Sequence, residues 1–102
     1  MKIPKGAKTK VRLGEIEEIQ ARVNVSAKDI KLGVKGIPNI CAIAKSLKRQ
    51  FQEENVRVYP TDIWVDGYST DTLPVSAMTF IKNFDDGRKV KPFSFTLKLY
   101  KS

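Results

Sequence analysis

Hydrophobic and polar positions alternate most cleanly near the end of the chain. There Phe93, Phe95, Leu97 and Leu99 interleave with Ser94, Thr96, Lys98 and Tyr100. A period of two is the signature of a half-buried strand. The same period begins near Glu17, where Ile19, Ala21, Val23 and Val25 alternate with Gln20, Arg22 and Asn24. Residues 56–59 and 63–66 read as two short strands, joined as a hairpin by the tight Pro60-Thr61-Asp62 connection. Residues 67–72 read as a polar loop.

Two stretches carry a helical period instead. Ile40, Ile43, Ala44, Leu47 and Phe51 fall on one face, with Asn39 as the capping residue and Lys45, Lys48, Arg49 and Gln52 on the flank and opposite face. Ala77, Phe80, Ile81 and Phe84 form the second stripe. Pro74 suits its first turn, where a missing N–H costs nothing, and Gly87 suits the left-handed position beyond its end. Ser26-Ala27-Lys28-Asp29 resembles a helix start, which Gly33 limits to about a turn. Residues 33–38 form a loop by their glycines and proline, and residues 88–91 a basic loop.

The order strand, helix, strand, strand, helix, strand predicts an α+β domain of two layers. A four-stranded, mostly antiparallel sheet would carry both main helices on one face. The ferredoxin-like split arrangement has this order; an antiparallel sheet reached by another path is its rival. The chain of 102 residues, 41% hydrophobic, suffices for one core. Residues 1–13 hold five positive charges and no negative ones, and read as a flexible basic arm before a single domain at 14–102.

Nineteen Lys and Arg against eleven Asp and Glu give a net charge of +8, an excess that attracts polyanions. Nucleic acid is the first candidate partner on that count, an anionic membrane surface the second, and solubility alone the plain alternative. The single cysteine, Cys41, excludes an internal disulfide framework and fits a reducing interior. The longest apolar run, residues 40–44, is too short to span a bilayer. No apolar segment follows the N-terminal charges as a secretory signal requires. These features point to a cytoplasmic protein.

The absence of histidine removes the commonest general base and every Ser–His or Cys–His pair, so no catalytic residue, metal or cofactor is expected. Cys41 near a helix start reads as a packed core-edge residue before a nucleophile. Asp62, Asp66 and Asp71 read as solubility before a cation site. Gly33-x-x-Gly36 with Lys35 can form a weak phosphate-binding turn ahead of a helix, although turn geometry alone explains both glycines. The strongest constellation lies on the predicted sheet. If the apolar residues face the helices, the other face presents Arg22, Arg57, Tyr59, Trp64, Lys98 and Tyr100. Interleaved aromatics and cations suit single-stranded nucleic acid, with bases stacked on rings and phosphates on Arg and Lys. The same surface suits a protein interface. The RNA-recognition-motif consensus is missing, since the middle strand reads Thr61-Asp62-Ile63-Trp64-Val65-Asp66-Gly67-Tyr68.

Ile40-Cys41-Ala42-Ile43-Ala44-Lys45-Ser46-Leu47-Lys48-Arg49 carries a further signal. So does Leu73-Pro74-x-x-Ala77-x-x-Phe80-Ile81-x-x-Phe84-Asp85-x-Gly87-x-x-Val90-x-Pro92-Phe93-x-Phe95-x-Leu97. Across about residues 23–99 the chain resembles a loose family of small uncharacterised bacteriophage and prophage proteins. Related chains often place proline after the cysteine, where this one has Ala42. The resemblance implies the α+β fold and a phage context in an infected or lysogenic bacterial cell, and it transfers no functional site. Small phage proteins of this kind commonly act on the host, as inhibitors of defence systems or modulators of polymerases and nucleases. The expectation is therefore a non-enzymatic binding protein. Its partner would be nucleic acid, single-stranded by preference, or a host nucleoprotein, met through the basic-aromatic face. The alternative is an inhibitor or modulator directed at a host or defence protein.

Overall fold

In the computed structural model, which describes all 102 residues, the two alternating segments pair with each other. Strand β2 (Glu15–Val25) lies antiparallel to β6 (Phe93–Lys101). Val25 stands opposite Phe93, Val23 opposite Phe95, Ala21 opposite Leu97 and Ile19 opposite Leu99. Directly opposed residues share a face, so both apolar sets point the same way. The apolar residues of β3 (Val56–Val58) and β4 (Ile63–Val65) join that side. Helices α2 (Ala42–Phe51) and α3 (Val75–Asp85) close the core over it with Ile43, Leu47, Phe51, Ala77, Phe80 and Ile81. Both long helices thus cover one face, and the other face is open. No helix is long and apolar enough to cross a membrane.

The sheet has six strands in place of the four expected, in the order β1-β2-β6-β5-β4-β3. Two short hairpins supply the extra pair. Residues 1–13, expected to be an arm, contain β1 (Lys8–Arg12), antiparallel to β2. Leu13 and Gly14 both have positive φ, 52° and 82°, the type I′ geometry that matches strand twist. Asp66 and Gly67 do the same, at 44° and 80°. They return the chain as β5 (Tyr68–Ser69), inside what reads as a polar loop. Every strand pair is antiparallel. A ferredoxin-like sheet instead centres on a parallel pair from split βαβ units, so that path is excluded and the rival stands.

The short helix α1 (Ala27–Leu32) is closed by a capping box. Ser26 Oγ accepts the Asp29 N–H at 3.1 Å, and Asp29 Oδ2 accepts the Ser26 N–H at 2.9 Å. Asp29 is only 7% exposed, and Arg49 of α2 pairs with it at 2.8 Å. Arg49 also donates to Asn24 O, while Gln50 donates to Arg22 O and accepts the Asn24 N–H. The Gln50 amide thereby stands in for a neighbouring strand where β1 stops short. Gly33 is required by close approach: a Cβ there would lie 2.6 Å from Ala42 N.

Helix α2 starts at Ala42, three residues past the Asn39 cap expected, with Cys41 at the capping position and no side-chain cap. Residues 38–40 form turns instead. Helix α3 ends in a Schellman motif, as Gly87 suggests: Arg88 N–H bonds Asn83 O and Gly87 N–H bonds Phe84 O. The rings of Phe80, Phe93 and Phe95 stack in series, tying α3 to β6.

Burial opposes the charge on Asp29, but the Ser26 bonds and the Arg49 guanidinium outweigh it and hold the carboxyl below its ordinary value. A carboxyl depressed by folding contributes stability above its unfolded pKa and loses it as pH falls through the folded one. Asp29→Ala is expected to destabilise the domain by about 2 kcal/mol near pH 7. In urea titrations the gap between variant and parent should shrink as the solution is acidified through that folded value.

Candidate functional site

The open face follows from the strand register. Arg57 stands opposite Trp64, Trp64 opposite Ser69, Ser69 opposite Tyr100, Tyr100 opposite Glu18, and Glu18 opposite Lys10. These six form one row across the whole sheet. At about 4.8 Å per strand, Trp64 and Tyr100 are about 10 Å apart, with only the small Ser69 between them. Both rings are solvent-accessible, Trp64 at 41% and Tyr100 at 39%. A second row runs Lys8, Gln20, Lys98, and a third pairs Arg22 with Thr96. Arg22 Nη1 donates to Thr96 Oγ1 at 3.2 Å, which lays the guanidinium over the strand.

Five of the six residues expected at the site stand in these rows, and the sixth, Tyr59, lies just past β3 and borders both this face and a cavity on the covered side with Phe80 and Phe84. Arg57, Tyr59 and Trp64 line one depression with Asp66, and Lys98 and Tyr100 line another with Asp71 and Thr72. Tyr59 is half-buried at the end of β3, so its ring is a wall more than a platform. Arg22 lies on the far side of β6 from the tryptophan and does not meet the aromatic cluster.

Lys8, Lys10, Ser69 and Asp71 belong to this face although the alternation of the main strands does not reveal them, whereas Glu18, two residues before Gln20, continues that alternation. The Asp66-Gly67 dipeptide was the available signal for β5, and so for Ser69. The face is mixed in charge. Cations gather on β1, β2 and β6 as Lys8, Lys10, Arg22 and Lys98, with Glu18 standing among them. On the aromatic half, Arg57 is offset by acids: Trp64 Nε1 donates to Asp62 Oδ2, and Asp66 and Asp71 sit at the rims.

The chain itself occupies the candidate phosphate turn. Gly36 N–H, the donor that a phosphate would take, bonds Asp85 Oδ1 at 2.9 Å, and a carboxylate there repels an anion. Cys41 is buried. Burial pushes its thiol above the ordinary range and nearby Asp85 adds to this, against the opposing pull of the helix N–H groups. No three His, Cys, Asp or Glu gather as a metal would require, and Asp62, Asp66 and Asp71 stay apart. No family model, curated protein or solved structure matches the chain.

With its indole on the open face, Trp64 contributes little to the core. Trp64→Ala is expected to cost about 1 kcal/mol of unfolding free energy, against about 2–4 kcal/mol for Ile63→Ala one residue away. Chemical denaturation of the two variants measures the difference.

Proposed function

We propose that this chain is a non-enzymatic binding protein for single-stranded nucleic acid. The observation that carries the reading is the row Arg57, Trp64, Ser69, Tyr100, which sets two accessible aromatic residues two strands, about 10 Å, apart on an open sheet. Ring faces bind unpaired bases by stacking, a contact that tolerates any sequence. The phosphates follow the cationic half of the face, past Lys98 and Arg22 toward Lys8 and Lys10. Asp62, Asp66 and Asp71 face the bases, where carboxylates accept hydrogen bonds from exocyclic amino groups. A duplex suits this surface less, since its bases are not free to stack. With the phage resemblance, the setting is the cytoplasm of an infected or lysogenic bacterium, and a host nucleoprotein is an equivalent target.

Trp64 is the sole tryptophan, so its fluorescence reports this site alone. Short single-stranded oligonucleotides are expected to quench it at low salt, with affinity falling by about 0.7 log units per log unit of salt for each phosphate contacted. Trp64→Ala and Tyr100→Ala should each cost about 1–3 kcal/mol of binding, read by anisotropy of a labelled oligonucleotide. A strand with abasic sites should bind worse than its parent. Absence of binding to any DNA or RNA at low salt defeats the proposal. A lysate partner retained after nuclease treatment and high salt would favour the protein-directed inhibitor instead.

A further inference from the structure

The sheet has a gap in its middle. Ser102 N–H bonds Gly67 O, and Tyr100 stands opposite Ser69. The backbone groups of Tyr100 therefore point toward β5, and by alternation so do those of Lys98, Thr96 and Ser94. Strand β5 ends at Ser69, however. Thr70 still faces β4, its N–H bonding Ile63 O and its Oγ1 accepting the Ile63 N–H, and no backbone group of residues 71–74 bonds β6. Beyond it, the N–H and C=O groups of Lys98, Thr96 and Ser94 meet no protein partner. The chain passes the gap as residues 71–74, leaving an open depression of about 360 Å³ lined by Asp71, Thr72, Leu73, Pro74, Thr96, Lys98 and Tyr100.

The other edges of this sheet are managed. Gln50 caps β2 beyond β1, and Pro38 O takes the Val58 N–H on the outer side of β3. Strand β1 carries Lys8, Lys10 and Arg12, charges that discourage pairing between copies. The β6 edge combines free peptide groups with a walled recess.

We propose that this recess is a strand-addition site, which takes an extended peptide segment of another protein alongside β6. Alternating N–H and C=O groups, repeating about every 6.8 Å, are matched by another polypeptide backbone. Charge selects the side chains. A partner residue opposite Thr96 on the open face lies beside both Lys98 and the Arg22 guanidinium, which outnumber the Asp71 carboxylate at the rim of the recess, so it is acidic. A second copy's β1 is a poor occupant, because its lysines would meet Lys98.

The test uses amide hydrogen exchange by NMR, with a capped octapeptide of alternating Val and Glu as the probe. In the free protein the Thr96 and Lys98 amides should exchange quickly while those of Phe95 and Leu97, bonded to β2, stay protected. The peptide should slow Thr96 and Lys98 by about tenfold or more. Two versions of it, N-methylated at one or the other alternating set of amides, should differ: the set facing β6 abolishes binding and the other retains it. Slow exchange of Thr96 and Lys98 in the free protein would overturn the proposal. Equal binding of both methylated peptides, or no protection at millimolar peptide, would do the same. Equal protection by an oligonucleotide would assign the edge to nucleic acid instead.

Discussion

The ladder between β2 and β6 is the constraint on which the rest depends. It joins residues 18–25 to residues 93–100 through eight opposed pairs and supplies the widest stretch of apolar surface on the covered face. Strand β1 is attached to one side of it, and the β3–β4–β5 meander to the other through two residues of β5. Helix α3 reaches it through the stacked phenylalanines. Because the ladder closes a loop of most of the chain, its entropy cost falls before its contacts form. Topologies of this kind fold more slowly than those built from local contacts.

Much of this was legible from residue order. Period-two alternation identified β2 and β6, and helical stripes located α2 and α3, because each buries one face against a single partner layer. Short elements carry too few residues for a period to emerge. Strand β1 is exposed on both faces, so no alternation marks it. Its turn uses Leu13 at a positive φ that leucine seldom adopts, which hides the hairpin. Strand β5 was more accessible to inspection, since Asp-Gly is the expected pair for a type I′ turn.

The site was legible in the same measure. Period two alone puts Arg22, Arg57, Trp64, Lys98 and Tyr100 on one face. It does not say which strands are neighbours, because that depends on pairings between distant segments. Strand order is what brings Trp64 and Tyr100 into one row, sends Arg22 to the far side of β6, and adds the acidic rim. A face that looks basic when read strand by strand is therefore divided, with cations toward β1 and aromatics framed by carboxylates toward β4.

The Gln50 clamp has a consequence for the order of events at the ribosome. Gln50 lies 26 positions from Asn24, whereas Ser94, the β6 residue opposite Asn24, lies 70 away. A growing chain can dock α2 against β2 through Gln50 and Arg49 long before β6 exists. The apolar side of the β1–β2 hairpin is then covered by α2 while the β6 edge of β2 is still unpaired. The side-chain amide that caps one edge in the finished protein thus also holds α2 over the nascent hairpin.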